Sequence, residues 1–211
     1  AAFLIFFGSS AVLFLTPFYL QRVLGYSARD AGLLVVPGAL FMAVLGPLSG
    51  ELSDRYGPRI FTVGGLALAA AGLFILSGLT ETSGKGLILP ALILTSAGMG
   101  TFYSANTSSI LSAVPLERYG VVSAFLNLTR NAANVTSIAV ATAIVTATMG
   151  SMGHEPTLAA VQCDVDSGVC NAFTLGMRNA YRAMTVMLLL GMAISAFKFR
   201  EVKEASSVPT G

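Results

Sequence analysis

Residues 123–137 read SAFLNLTRNAANVTS, an apolar stretch broken by Ser123, Asn127, Arg130, Asn131, Asn134 and Ser137. At 100° per residue on a helix these six side chains fall within about 120° of one another. Val121, Phe125, Leu128, Ala132 and Val135 take the opposite side. Amides can donate and accept hydrogen bonds, and a guanidinium stays charged throughout. Such a stripe could therefore hold a polar solute. In lipid it has to face protein or a water-filled cavity. The asparagines have two uses open to them, lining that cavity or joining helices. Arg130 is different. It stands roughly 15 Å along the stretch, near a bilayer midplane. An unpartnered charge there costs about 3 kcal/mol or more, so it points to a cavity or gating role. A second mixed face carries Thr95, Met99, Phe102, Tyr103, Asn106 and Ser109. It suits amphipathic organic molecules, though core packing accounts for it equally. The candidate cavity set is Tyr103, Asn106, Asn127, Arg130, Asn131 and Asn134. Ser9, Ser10, Thr16, Tyr19 and Gln21 form a less coherent polar set near the start of the chain.

A third pattern is the island GELSDRYGPR at 50–59, with Glu51, Asp54, Arg55 and Arg59 between two uncharged stretches. Gly46 and Gly50 stand four apart, a small-residue pair that lets helices approach closely. Gly57 permits a sharp turn. Asp54, Arg55 and Arg59 can form charge-assisted hydrogen bonds that fasten helix ends in one conformation and release them in another. The residues assigned to this latch are Gly50, Asp54, Arg55, Gly57 and Arg59. The bland alternative is a solvated loop.

The elements that must carry these groups follow from composition. The 211 residues are 55% hydrophobic and 10% charged, with mean hydropathy +0.77. Soluble domains carry about a quarter charged residues. Six apolar stretches, at about 2–24, 31–50, 60–79, 87–112, 119–148 and 180–199, each reach the roughly 20 residues a spanning helix needs. The expected fold is all-α, an integral membrane six-helix bundle over 1–204, with a longer connection at 149–172 and a flexible tail at 205–211. Stretches 60–79 and 180–199 are almost free of polar groups and should stand away from any cavity. All ten acidic residues lie in connections, helix ends or the tail.

Several classes fall away. A net charge of +2 without a basic run offers nothing to nucleic acid. The spans contain no aspartate pair or Ser–His pair for an intramembrane enzyme, and none of the residues implies a cofactor. The chain opens apolar without a charged leader, so it reads as starting in or just before a span. Cys163 and Cys170 flank DVDSGV; an oxidising exterior permits a disulfide, and two free thiols are the alternative. His154 is the single histidine, too little for a zinc site. Asp164 and Asp166 match the start of a calcium loop without the rest of its pattern, and read as solvated. The positive-inside rule leaves orientation open. Arg55, Arg59, Arg118, Lys198, Arg200 and Lys203 fall on one side, and Arg22, Arg29, Lys85, Arg178 and Arg182 on the other.

Gly50-x-Leu52-Ser53-Asp54-Arg55-x-Gly57-x-Arg59 resembles the loop signature of the major facilitator superfamily. FYLQRVLGYSARDAGLLVVPGAL and PLERYGVVSAFLNLTRNAANV resemble segments in the C-terminal part of its fourteen-span drug:proton antiporters, and together the matches cover most of the chain. Two features depart from that pattern: Pro58 replaces a basic residue, and Ala133, Asn134 and Ser137 stand where glycines are common. The resemblance implies one half of a major facilitator fold with the 50–59 segment facing the cytoplasm. It implies a multi-pass protein of the plasma (bacterial inner) membrane that exports small amphipathic compounds by proton antiport. Its expected partners are membrane lipid, the small-molecule substrate and the N-terminal half of the same transporter. The coupling carboxylate would lie in that N-terminal part. A non-transporting scaffold or assembly subunit, or a half-size protein that pairs with itself, is the alternative. The substrate stays open: sugars, siderophores and peptides fit the residues too.

Overall fold

The computed structural model describes residues 2–161, 163 and 167–205; Asp164, Asp166 and the tail from 206 onward lie outside the described residues. Six helices follow in chain order: α1 (Ala2–Arg22), α2 (Ala28–Tyr56), α3 (Pro58–Leu76), α4 (Lys85–Leu111), α5 (Tyr119–Ser151) and α6 (Ser167–Ala205). Short 3-10 turns at Leu116–Arg118 and Leu158–Ala160 precede α5 and α6, and no strand occurs among the described residues. Helices α1 to α5 are each long and apolar enough to cross a membrane.

Local chemistry sets the boundaries. The Ser27 hydroxyl accepts the Asp30 N–H at 3.1 Å and donates to the Asp30 carboxylate at 2.9 Å. This reciprocal cap starts α2, with an acidic side chain at its positive end. The helix does not stop where its apolar run stops. It continues through Leu52-Ser53-Asp54-Arg55-Tyr56, because the first breaker is Gly57 at φ 90°. Gly57 N–H closes the last turn on the Ser53 carbonyl at 2.9 Å, and Pro58 opens α3 at its first position. Thus most of the polar island is the end of a helix, and the loop is one residue. At the other end of the chain α6 begins at Ser167, ahead of its apolar stretch, which shortens the α5–α6 connection.

Helix α4 packs between α2 and α3, α3 also contacts α6, and α1 lies against α5 and α6. The α3–α4 contact is backbone on backbone. A methyl group at Gly98 would sit 2.4 Å from the Ala69 nitrogen and 2.5 Å from the Gly65 carbonyl oxygen. Tyr19, Tyr181, Phe102 and Phe173 fill the core, and the two tyrosine hydroxyls find polar partners. The Tyr181 hydroxyl is 2.8 Å from the Thr16 hydroxyl, and Tyr19 donates to the Thr80 carbonyl.

Burial is uneven. The apolar window of α1 is 67% buried, against 11% for α2 and 28% for α5. On α5 the side opposite the polar stripe projects outward, with Val121, Phe125, Leu128 and Val135 all well exposed. These faces await lipid or another protein surface.

Candidate functional site

The stripe on α5 does not behave as one surface. Its C-terminal part seals against α1. Ser137 is fully buried. Its hydroxyl donates to the Phe7 carbonyl and accepts the Ala11 N–H at 3.2 Å, so it touches both ends of one helical bond of α1. Ala133, one turn earlier, is also fully buried. Where glycines are common in the family pattern, close packing is therefore reached here with a methyl and a hydroxyl. Asn134 is half-buried, and its side-chain oxygen accepts a hydrogen bond from Ser10 at 2.5 Å. Of the two uses open to the asparagines, Asn134 joins helices while also lining a recess. We expect Ser137→Ala to lower stability by about 1–3 kcal/mol, the usual loss for buried hydrogen bonds. Asn131 is exposed, and its side chain makes no hydrogen bond among the described residues. Asn131→Ala should leave the unfolding midpoint in detergent unchanged, which provides the comparison.

The N-terminal part of the stripe opens into a recess of about 500 Å³. Its walls come from α1 (Phe6, Ser10, Leu13, Phe14), α2 (Met42), α4 (Met99) and α5 (Arg130, Asn131, Asn134, Ile138). Among the described residues α3 and α6 contribute nothing to it, in keeping with the expectation for the stretches 60–79 and 180–199. Arg130 is half-buried. One terminal nitrogen donates to the Asn127 side-chain oxygen at 2.9 Å, and the guanidinium carbon stands 5.6 Å from the Tyr103 ring centroid. Tyr103 in turn meets Phe6 edge to face, with centroids 5.8 Å apart. Among the described residues no carboxylate pairs with Arg130. A cation thus sits at the edge of an aromatic and thioether wall with hydrogen-bonding capacity left over. Such a wall can hold an amphipathic solute through its apolar body and orient it through one polar group. Asn127 does not line the recess; it positions Arg130. Asn106 is half-buried and lines neither this recess nor the one described next. Phe6, Phe14 and Met42 were not legible as wall residues, because nothing distinguishes them locally from core side chains.

A second, larger recess of about 670 Å³ runs between α2 and α4 from Met42 and Tyr103 to Ser108 and Leu111. At its end lies the latch segment. Asp54 accepts a hydrogen bond from the Ser108 hydroxyl at 2.8 Å, which ties the end of α2 to α4. Gly50 faces Ser104 so closely that a methyl group there would stand 2.5 Å from its hydroxyl. Gly46 meets nothing within 4 Å, so Gly50 alone of that pair serves close approach. Arg55 bonds Glu51 at 2.9 Å one turn back, and both side chains are largely exposed. That pair supports the helix end and contributes little more. In this conformation the acid of the motif is held by a serine hydroxyl, and Arg55 is engaged within its own helix.

Cys163 and Cys170 are disulfide-linked, with Cα atoms 5.4 Å apart. The bond fastens the α5–α6 connection to the first turn of α6.

The sequence profile described as the Major Facilitator Superfamily matches residues 1–159. Among curated proteins, the chain is 40% identical over 114 residues to the uncharacterized transporter YebQ of Escherichia coli, covering 54% of this chain and 25% of that protein. It is 32% identical over 126 residues to the riboflavin transporter RibZ of Clostridioides difficile, covering 60% of this chain and 28% of that protein. A longer match, 27% identical over 188 residues, links it to the lincomycin resistance protein LmrB of Listeria monocytogenes, over 89% of this chain and 39% of that protein. The chain therefore spans well under half the length of these relatives.

Proposed function

The chain belongs to the major facilitator superfamily, and from that premise we propose that it forms one six-helix half of an export permease whose substrate rests against the Arg130 recess. It is a multi-pass membrane protein. The observation that carries the reading is the setting of Arg130, a half-buried cation beside Tyr103, unpaired with any carboxylate among the described residues. Transporters of this build place the substrate near the midplane between two repeats and rock one against the other. The exposed apolar sides of α2 and α5 supply the surface that a second repeat, the N-terminal half, would cover. The Asp54–Ser108 contact would open and close as α2 and α4 shift. Relatives named for riboflavin transport and for lincomycin resistance support small amphipathic organic molecules as the substrate class. Export by proton antiport, in the plasma membrane, is the direction we assign. It requires a titratable group in the membrane. The apolar stretches of this chain hold no carboxylate, which supports assigning the coupling acid to the other half.

Reconstitution tests the division of labour. Vesicles containing residues 1–211 alone are expected to leave a panel of amphipathic fluorescent dyes unmoved, whereas vesicles containing the full-length protein transport at least one under a proton gradient. Transport by the isolated segment at the full-length rate would remove the half-transporter reading.

A further inference from the structure

At the end of the bundle away from the 50–59 segment, a recess of about 300 Å³ opens between the α3–α4 connection and the first turns of α6. Beside Leu175 its wall carries polar side chains: Thr80, Glu81 and Thr82 from the connection, and Asn171, Thr174 and Arg178 from α6. Arg178 donates its Nε–H to the Ser77 carbonyl at 3.1 Å, which anchors the side chain at the rim. The terminal guanidinium nitrogens and the Glu81 carboxylate have no partner among the described residues. Thr174 is 4% exposed, and its hydroxyl makes no hydrogen bond there. The Cys163–Cys170 disulfide holds the adjoining turn of α6 in place.

A buried hydroxyl without a partner calls for one. Here it shares a hollow with two opposite charges that do not pair with each other. A simple anion would be repelled by Glu81 and a simple cation by Arg178. The arrangement fits a ligand that brings both charges. We propose that this recess binds an ammonium-bearing phosphate monoester or diester of the phosphoethanolamine class. Its phosphate engages Arg178 and Thr174, and its primary ammonium donates to Glu81. A membrane lipid is the natural source. Toward the middle of the bundle, α3 exposes Phe74 (69%) and Leu68, and α6 exposes Val186 and Leu190, apolar side chains against which acyl chains can lie. A choline headgroup has no N–H to give, so Glu81 makes the site selective between the two common zwitterionic headgroups. The inference does not depend on transport.

Full-length protein is purified in micelles containing phosphatidylethanolamine and phosphatidylcholine with matched acyl chains, and retained lipid is quantified by mass. We expect the ethanolamine lipid to be retained roughly tenfold or more over the choline lipid, the scale of one charge-assisted hydrogen bond. Glu81→Gln, at a half-buried position without partners, should fold normally and abolish that preference. Thr174→Val should lower retention of the ethanolamine lipid. Added phosphoethanolamine that displaces the lipid shows that the headgroup alone suffices; failure to displace it assigns the site to the intact lipid. Equal retention of both lipids by the wild type together with no binding of free phosphoethanolamine overturns the proposal. An unchanged preference in Glu81→Gln overturns it as well.

Discussion

Replacing Arg130 by alanine in the full-length transporter is expected to cut transport by roughly 10- to 100-fold, the loss of one charge-assisted hydrogen bond of about 1.5–3 kcal/mol. Protein amount and unfolding midpoint should stay near wild type. In the resting structure the guanidinium does little for the fold. It accepts support from Asn127 and lies over Tyr103, but it bridges no other helix by an ion pair among the described residues. Its removal therefore takes little from the fold, while the recess loses the one charged wall residue it has among the described residues. Arg130→Lys should recover part of the activity, since an ammonium keeps the charge and loses the planar fork. Asn127→Ala should give a smaller fall, because it frees the arginine without deleting it. Radiolabelled or fluorescent substrate uptake into inverted vesicles, normalised to protein content, reads all three. Unaltered transport in Arg130→Ala would mean that the cation only decorates the face and that the substrate lies elsewhere. A scaffold protein would show the same indifference.

The second large effect concerns two adjacent glycines. Gly65→Ala is expected to destabilise the bundle by about 1–3 kcal/mol, the range for forcing an extra carbon into a packed site. A methyl group there would lie 2.7 Å from the Phe102 nitrogen and 2.8 Å from the Gly98 carbonyl oxygen. Both obstacles are α4 backbone, which can retreat only if the helix moves. Gly64→Ala, one residue earlier, meets nothing within 4 Å. It should be neutral or mildly stabilising, by up to about 1 kcal/mol from improved helix propensity. Thermal unfolding of the two variants in the same detergent separates them. Equal midpoints would show that α3 and α4 are not held in direct backbone contact.

This pair marks the boundary of what could be read in advance. In Val63-Gly64-Gly65-Leu66 nothing local says which glycine meets a neighbour; only the rotation of α3 against α4 decides it. The latch gives the same lesson. Its acid, its glycines and its spacing were legible, and the arginines beside Asp54 were its natural partners by charge. The structure adds the Ser108 hydroxyl from α4 as a partner of Asp54, and because α2 runs on as a helix to Tyr56, Arg55 reaches back along its own axis toward Glu51.

The all-α class, the number of helices, the polar stripe on α5 and the apolar character of α3 were determined by the sequence alone, because each depends on composition and a 3.6-residue period within one segment. Tertiary structure decided the rest. Helices α1 and α2 have nearly the same mean hydropathy, 1.9 and 2.1, yet one is 67% buried and the other 11%. It also split the α5 stripe into a seam at Asn134 and Ser137 and an open wall at Arg130, and brought Phe6, Tyr103 and Arg130 together from three helices. The physical reason is common to all of these: lipid and protein interior reward apolar surface alike, so hydropathy can place a helix in the membrane but cannot say which neighbour each of its faces will meet.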